Sequence, residues 1–408
     1  MTKTLLIIGS SLNCGSPGHI CESIGLLAKE NNWDVYMAHG LRYANPSELK
    51  TFRVSSRIEE YLHIFKSLLC DGHGLASKYA TKRLIKFIDK IQPTVINIHN
   101  LHGYYLNYQI LFEYLAKKNI PVVWTLHDFW TITGHCVHFD YIGCNKWQTG
   151  CESCQHFRSY PKSLILDKSR YNYLLKKKLF TALNNVTIVP VSQWVGNLVN
   201  KSYLSGYPMQ VIYNGINLGA FKPTYSDLRE KLGLKDKFVL LGVASPWYPM
   251  KGLYDYYQLN AVLPGDCKII MIGLTKQQIE KLPGGIIGVE RTESQYELAQ
   301  YYSMADATLN LSYQETFGMT TVEGMACGTP GIVYNKTASP ELVSEETGFV
   351  VDAGDMTGLL NAIMRIKGKG RESYLENCVN RVRDHFNADN TYIQYLRLFE
   401  YYATNNKD

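Results

Sequence analysis

The sequence predicts an α/β protein made of two doubly wound domains, each with a parallel sheet covered by helices on both faces. Three observations support this prediction. The chain has 408 residues, which suits two domains of about 200 residues better than one core. Short apolar runs alternate with longer amphipathic stretches, as in α/β folds. These runs are apolar at successive positions, as expected for strands buried on both faces of a parallel sheet.

The strand candidates form two sets, one in each half of the chain. The first set comprises residues 4–10, 34–39, 95–100, 122–128 and 187–192. The second set comprises residues 238–245, 268–273, 307–312 and 331–335. Between the first strands, residues 19–31 and 76–91 have apolar side chains at helical spacing. Two sets of alternating strands and helices therefore predict two domains.

The domain boundary is predicted within residues 205–225, a segment rich in Gly, Pro and Asn. The predicted domains are residues 1–205 and 206–388. The final segment, 389–408, carries aromatic residues at helical spacing and is predicted to pack back on the N-terminal domain.

The composition is that of an ordinary globular protein, with 46% hydrophobic and 19% charged residues. No apolar stretch approaches the roughly 18 residues that a membrane-spanning helix needs. The apolar run after Lys3 stops at Gly9, which favours a first buried strand over a signal peptide. The sequence therefore predicts a cytoplasmic protein, in which thiols stay reduced.

Charge is distributed unevenly along the chain. Lys and Arg outnumber Asp and Glu by 23 to 13 over residues 1–205, whereas the counts are 19 and 23 over residues 206–408. A basic N-terminal half suits an anionic membrane surface or a phosphate-bearing lipid, but also an ordinary solvated face. Residues 168–180 fit either a membrane-surface helix or an amphipathic helix with a solvated lysine face. Nucleic acid is not expected, because no recognised binding motif accompanies the charge.

The most informative segment follows the predicted strand 307–312. A loop leads into a helix predicted to begin near Thr320, and ligands bind to open parallel sheets beyond the strand ends, at such helix N-termini. The exposed amides there suit a diphosphate, and Gly318 permits close approach of the backbone. Glu323 is expected in the first helical turn, where a carboxylate can accept both ribose hydroxyls, and Glu315 is expected to face a sugar. For either Glu, simple stabilisation of the helix N-terminus is the alternative role.

Residues 315–330, ETFGMTTVEGMACGTP, resemble the E-x7-E signature of family 4 (group 1) GT-B glycosyltransferases. Gly324 and Thr316 replace the usual Ala and Gly. The string NGIN with Phe221 resembles the domain-junction motif of that family, and Lys251-Gly252 resembles its phosphate-contacting lysine. Residues 341–350 resemble a later motif.

The resemblance implies a retaining glycosyltransferase of the hexosyltransferase class, with two Rossmann-like domains and a cleft between them. It implies that the C-terminal domain holds a nucleotide-sugar donor, a UDP- or GDP-sugar, and that catalysis requires no cofactor. The catalytic residues it implies are Glu315, His127 and Lys251. The donor-binding residues expected are Glu323, Phe317, Gly318, Met319, Thr320, Ser245 and Gly15.

Further candidates lie on the acceptor side, at or just after the ends of the predicted strands 95–100 and 122–128. They are His99, Asn100, His102 and Asp128. Hydrogen bonding within loops is the alternative role for these residues and for His127. One departure from the family concerns the diphosphate. Most members carry an Arg in a G-R-L string before the lysine, and this chain has GVASPW at 242–247. Lys251 with backbone amides, or another cation, must then contact the phosphates.

Four cysteines, Cys136, Cys144, Cys151 and Cys154, fall within nineteen residues of one another, next to His135, His138 and His156. The C-x-x-C pair suits tetrahedral structural zinc, and plain thiols or a disulfide are the alternatives. A subgroup of similar transferases, of the colanic-acid WcaC type, carries cysteines in this insertion and a comparable G-V-A-S-x-W string. A catalytic metal is not expected.

The function predicted is transfer of a sugar to a saccharide or polyprenyl-diphosphate-linked acceptor in surface-polysaccharide biosynthesis, at the inner face of the membrane. The alternative is a nucleotide-sugar epimerase or hydrolase on the same scaffold. A non-catalytic sugar-binding protein is disfavoured because that class is usually exported. A dinucleotide oxidoreductase is disfavoured because the first loop, residues 9–18, lacks G-x-G-x-x-G.

Overall fold

The computed structural model describes residues 3–40 and 43–405. The chain divides into two compact units, Met1–Tyr213 with Tyr392–Asp408, and Asn214–Thr391. Each unit contains one six-stranded sheet whose strands are paired in parallel.

The sheet of the first unit has the strand order β3-β2-β1-β4-β5-β6. Its strands are β1 (Thr4–Gly9), β2 (Asp34–His39), β3 (Lys50–Arg53), β4 (Val95–Ile98), β5 (Val122–Leu126) and β6 (Val186–Pro190). Strands β1, β4, β5 and β6 are buried along their whole length, because helices cover both faces of the sheet. The helices are α1 (Gly15–Glu30), α2 (Arg57–Cys70), α3 (Lys78–Ile91), α4 (Tyr108–Lys118), α5 (Ser169–Phe180) and α6 (Gln193–Val199).

The sheet of the second unit has the order β12-β11-β10-β7-β8-β9. Its strands are β7 (Phe238–Val243), β8 (Cys267–Ile272), β9 (Ile286–Val289), β10 (Ala307–Asn310), β11 (Gly331–Tyr334) and β12 (Gly348–Val351). Its helices are α7 (Leu228–Lys231), α8 (Leu253–Val262), α9 (Lys276–Ile279), α10 (Gln295–Met304), α11 (Met319–Ala326), α12 (Met356–Lys369) and α13 (Glu372–His385). Numbered within each unit, both sheets have the order 3-2-1-4-5-6, that of doubly wound dinucleotide-binding folds. The predicted fold class is therefore confirmed.

The last helix, α14 (Ala388–Asn405), joins the first unit from Tyr392 onward. Phe399 packs edge-on against Trp33 at 6.0 Å, and Trp33 Nε1 donates to Glu400 Oε1 at 2.9 Å. The hydroxyl of Tyr402 is hydrogen-bonded to Thr187 on β6. The helix thus contributes an aromatic stripe to the core of this unit. Residues 406–408 of the predicted C-terminal segment lie outside the described residues.

Candidate active site

The strand order places a topological switch point between β7 and β10 in the second unit, where connections leave the sheet in opposite directions. After β7 the chain reaches a 3₁₀ turn, Pro249–Lys251, and after β10 it enters the loop that contains Glu315. Lys251 Nζ lies 2.6 Å from Glu315 Oε1, and the two side chains are 25% and 17% exposed. The ion pair therefore joins the two loops that flank the switch point, and solvent reaches it.

Backbone geometry holds this pair in place. Gly252 has φ +74°, and a Cβ there would lie 2.3 Å from the carbonyl oxygen of Leu311. Glycine therefore allows the turn after β7 to press against the loop after β10. The amide of Glu315 donates to Thr337 Oγ1 at 2.9 Å, which fixes the backbone beside the carboxylate.

Helix α11 begins at Met319, directly after Gly318, whose φ of +109° only glycine adopts readily. Met319 and Thr320 are half-buried at its first turn, where backbone amides lack partners within the helix. Phe317 is buried and packs edge-on against Phe386 at 5.7 Å. The structure thus places the Phe317 side chain in the core, where it anchors the loop. Ser245 is exposed just beyond the end of β7.

Glu323 lies in the second turn of α11, because the helix starts at Met319; its expected position in the first turn was wrong. Its Oε2 accepts a hydrogen bond from the hydroxyl of Tyr302 at 2.8 Å. Burial raises the pKa of Glu323 to about 7, and the Tyr302 hydroxyl offsets part of that rise. This carboxyl group therefore titrates near neutral pH, and the affinity of any ligand that hydrogen-bonds to the carboxylate will depend on pH.

In the first unit, two histidines follow the neighbouring strands β4 and β5. His99 Nδ1 and His127 Nε2 are 2.8 Å apart, with the rings stacked at 5.1 Å. Burial lowers the pKa of His99 well below its usual value and that of His127 to about 4. Both rings are consequently neutral at pH 7, and each carries one N–H.

The hydrogen bonds around these rings fix their tautomers. Asn97 Nδ2 donates to the carbonyl of Val123, so Asn97 Oδ1 must accept from His99 Nε2 at 2.8 Å. A neutral His99 then has a lone pair on Nδ1 and accepts from His127 Nε2. His127 is left with a lone pair on Nδ1. It therefore presents a hydrogen-bond acceptor, which suits a sugar hydroxyl and not a phosphate oxygen.

A second polar cluster lies beside the first. Asp128 Oδ2 is 2.6 Å from His102 Nε2 and accepts from Asn100 Nδ2 at 2.8 Å. Burial would raise the pKa of Asp128, but His102 and the Trp130 amide outweigh it and lower that pKa to about 2. His102 Nδ1 also contacts the Tyr160 hydroxyl at 3.0 Å. The structure thus joins the predicted acceptor-side residues in two clusters. Gly15, predicted to bind the donor, begins α1 with φ +64°, and a Cβ built there would contact no neighbouring side chain or loop.

The cysteine-rich segment has no disulfide, since all ten cysteines of the chain are free. The Cys136 thiol donates a hydrogen bond to Cys154 Sγ, and this bond is the largest influence on the pKa of Cys154. Burial opposes its effect and the charge of His135 adds to it, so that the pKa of Cys154 is lowered to about 7. Within the described parts of the chain, no three His, Cys, Asp or Glu side chains are arranged to hold a metal ion. The zinc site formed by Cys136, Cys144, Cys151 and Cys154 stays a prediction.

Helix α5, which covers most of the interleaved basic and aromatic segment, packs into the first unit. Lys176 is buried, and its Nζ donates to the carbonyls of Trp130 and Thr133 at 2.7 and 3.1 Å. Lys177 and Lys178 are exposed. The helix therefore has one buried and one solvated face.

Three residues at these sites escaped the sequence analysis. Asn97 lies inside a buried strand, Tyr302 lies on α10, and Tyr160 lies in the loop after the cysteines. Asn97 carried a recognisable signal, because a polar side chain in the fully buried run VINI needs a hydrogen-bonding partner.

Comparison with known proteins agrees with this architecture. Residues 51–220 match the model of glycosyltransferase family 4, and residues 237–368 match that of the group 1 glycosyl transferases. A colanic acid biosynthesis glycosyl transferase of Escherichia coli strain K12, WcaC, is 28% identical over 279 residues. That alignment covers 66% of this chain and 66% of WcaC, just under two thirds of the relative's length.

Solved structures share the fold over nearly the whole chain. Sucrose-phosphate synthase from Thermosynechococcus elongatus superposes with a TM-score of 0.72 at 18% identity, covering 98% of each chain. Anabaena Alr3699/HepE, solved in complex with UDP, has a TM-score of 0.67 at 15% identity and covers 98% of this chain and all of its own. No helix within residues 3–40 and 43–405 has the length and apolar character needed to span a bilayer. With two matched models, one in each unit, and the GT-B fold, the chain belongs to the family 4, group 1 glycosyltransferases.

Proposed function

We propose that this protein transfers a sugar, with retention of anomeric configuration, from a nucleotide-sugar donor to a saccharide or lipid-linked saccharide acceptor in surface-polysaccharide biosynthesis. The observation that carries the proposal is the Lys251–Glu315 ion pair, 2.6 Å long, at the switch point of the second unit. A ligand with a diphosphate and a sugar supplies an anion for Lys251 and hydroxyls for Glu315.

The second unit offers a binding group for each part of such a donor. The first-turn amides of α11 and Lys251 suit the diphosphate, because both present positive charge to an anion. Glu323, as a carboxylate, suits the two hydroxyls of a ribose. Lys251 and these amides supply the charge complementarity for which the family commonly uses an arginine.

The first unit supplies a hydrogen-bond acceptor for a sugar hydroxyl. His127 is neutral and carries its lone pair on Nδ1, so it accepts a hydrogen bond from a sugar hydroxyl without adding charge. Such a bond orients the sugar. His127 is thus proposed to position a substrate, and no proton needs to pass through it.

The proposed reaction retains the configuration of the anomeric carbon, because the acceptor attacks on the face from which the diphosphate leaves. The bond from that carbon to the diphosphate oxygen breaks, and a bond to the acceptor hydroxyl oxygen forms on the same face. The hydroxyl proton passes to the departing phosphate oxygen. Negative charge accumulates on the leaving group, where Lys251 and the α11 amides stabilise it electrostatically.

The relatives support the role in polysaccharide assembly and the donor type. WcaC is named for colanic acid biosynthesis, and HepE was solved with UDP. We extend both properties to this chain as part of the proposal, with a UDP- or GDP-sugar as donor.

A thermal-shift panel of UDP-, GDP- and ADP-sugars tests donor binding. One nucleotide sugar should raise the melting temperature of the wild-type protein and raise that of Lys251→Met much less. The control is Lys276→Met, which removes an exposed lysine on α9 and should respond like the wild type. Stabilisation by none of them would overturn the proposed donor class. A nucleotide-sugar hydrolase or epimerase is the second candidate, and it would consume or isomerise the selected donor as fast without acceptor as with it.

A further inference from the structure

Helix α2 of the first unit has its apolar face toward solvent. Ile58, Tyr61, Leu62 and Phe65 follow the i, i+3, i+4, i+7 spacing of one helical stripe, and they are 73%, 69%, 63% and 61% exposed. The side chains that α2 buries are instead Glu60, His63 and Ser67. A stripe of this spacing ordinarily packs on a core, so its exposure needs a partner.

The segment after Pro161 extends this apolar surface. The amide of Leu164 donates to the carbonyl of Leu68 in the last turn of α2, at 2.7 Å. Leu164, Ile165 and Leu166 are 46%, 65% and 43% exposed. Ser163 Oγ donates to the Leu166 carbonyl, which holds this segment as an ordered turn. Consecutive apolar side chains therefore stand in water beside the end of the helix.

Positive charge borders the same surface. Three exposed lysines lie close together there: Lys66, Lys78 and Lys168. Burial is the main cause of the lowered pKa of Lys66, and the charges of Lys78 and Lys168 lower it further. The carboxylates of α2 are engaged elsewhere. Glu59 is paired with Arg83 at 2.7 Å, and Glu60 accepts from Ser55 inside the unit. The apolar stripe is thus bordered by lysines whose charge its own helix does not neutralise.

We propose that the α2 stripe and the 164–166 turn dock the first unit on the surface of an anionic lipid bilayer. An amphipathic helix of this kind lies in the interface, with its apolar side chains among the acyl chains and its lysines at the lipid headgroups. Charge favours lipid over a second copy of this chain. A two-fold contact through this surface would bring the cluster of Lys66, Lys78 and Lys168 close to its own copy.

The test is co-sedimentation of the full chain with vesicles of phosphatidylcholine, with and without phosphatidylglycerol. The wild type should bind the anionic vesicles and bind the neutral ones weakly. Leu62→Ser/Phe65→Ser should reduce partitioning about tenfold or more, because each side chain loses its transfer into the acyl region. Lys78→Glu/Lys168→Glu should reduce binding to anionic vesicles by a similar factor. Lys66 is left unchanged, because its Nζ also donates to the Leu75 carbonyl.

Matched controls lie in the second unit. Tyr225→Ser removes an apolar side chain that is 85% exposed, and Lys276→Glu/Lys281→Glu reverses two exposed lysines. Both should bind vesicles like the wild type. Thermal melts show whether each variant is folded, and binding of the nucleotide sugar should persist in all of them, so failure of docking is distinguishable from failure of the proposed transferase activity. Absence of wild-type binding to anionic vesicles would overturn the proposal. So would a dimer in sedimentation velocity that Leu62→Ser/Phe65→Ser dissociates, with no vesicle binding.

Discussion

The Tyr302–Glu323 contact allows a quantitative test of nucleotide-sugar binding. The Tyr302 hydroxyl donates to Glu323 Oε2 at 2.8 Å and favours the carboxylate, whereas burial favours the protonated form and raises the pKa to about 7. A hydrogen bond to a charged group contributes about 1.5–3 kcal/mol, and one pKa unit corresponds to about 1.4 kcal/mol. Tyr302→Phe should therefore raise the pKa of Glu323 by a further one to two units, roughly.

This shift should appear as a change in affinity. If the ribose hydroxyls bind only to the carboxylate, the apparent dissociation constant scales inversely with the ionised fraction of Glu323. That fraction is about one half at pH 7 in the wild type and roughly 1–10% in Tyr302→Phe. The variant should bind the nucleotide sugar about five- to fifty-fold more weakly at pH 7 and regain affinity as the pH rises.

Isothermal titration calorimetry between about pH 6 and 9 is the assay, with the nucleotide sugar chosen by the thermal-shift panel. A nucleotide sugar is preferable to the free nucleotide, because it lacks a terminal phosphate that titrates in this range. Glu323→Gln is the control, and its affinity should not vary with pH. An affinity midpoint that stays in place or moves to lower pH in Tyr302→Phe would refute the assigned role of Glu323.

Three further predictions concern the other clusters. Lys251→Met should lower kcat/KM by about 10²- to 10³-fold, because charge on the leaving phosphate loses a stabilising cation; Lys276→Met is the control, and equal activity in both variants would contradict the assignment. In ¹H–¹⁵N correlation spectra at pH 7, His127 should show the neutral Nε2–H tautomer, and an Nδ1–H signal would be incompatible with the Asn97–His99–His127 chain of hydrogen bonds. If the four cysteines of 136–154 bind zinc, protein purified without chelators should contain one equivalent of zinc by mass spectrometry. Metal-free protein in which all four of these thiols react with a disulfide reagent would rule that site out.

The interior strands of both sheets were predictable from sequence, and three of the four edge strands were not. The nine predicted strands overlap the nine observed strands of the same regions, because a strand buried on both faces has apolar residues at successive positions. The three strands missing from the prediction, β3, β9 and β12, all lie at sheet edges. β3, with the sequence KTFR, pairs with β2 alone and is largely exposed. Its residues therefore carry no apolar run that would distinguish it from a loop.

The candidate site was predictable in its residue types and not in their pairings. The ends of parallel strands meet at one edge of the sheet, so polar residues that follow strands, such as His99 and His127, can be selected without a structure. Their tautomers depend on Asn97, which is buried within a strand, two residues before His99. The pKa of Glu323 depends on its burial and then on the hydroxyl of Tyr302, which is 21 residues away in sequence. Such partners are determined by packing between elements, which local sequence patterns do not encode.

The two units place electrostatically different side chains at the strand ends of one strand order, and burial explains the difference. At the switch point of the second unit, Lys251 and Glu315 remain 25% and 17% exposed, so water helps to stabilise a pair of full charges. In the first unit, burial holds His99 and His127 neutral, and hydrogen bonding within the sheet fixes where their protons lie. A charged pair suits a diphosphate, and a neutral acceptor suits a hydroxyl. On the proposed function, the same backbone scaffold serves phosphate in one unit and sugar in the other, according to how far its strand-end side chains are removed from water.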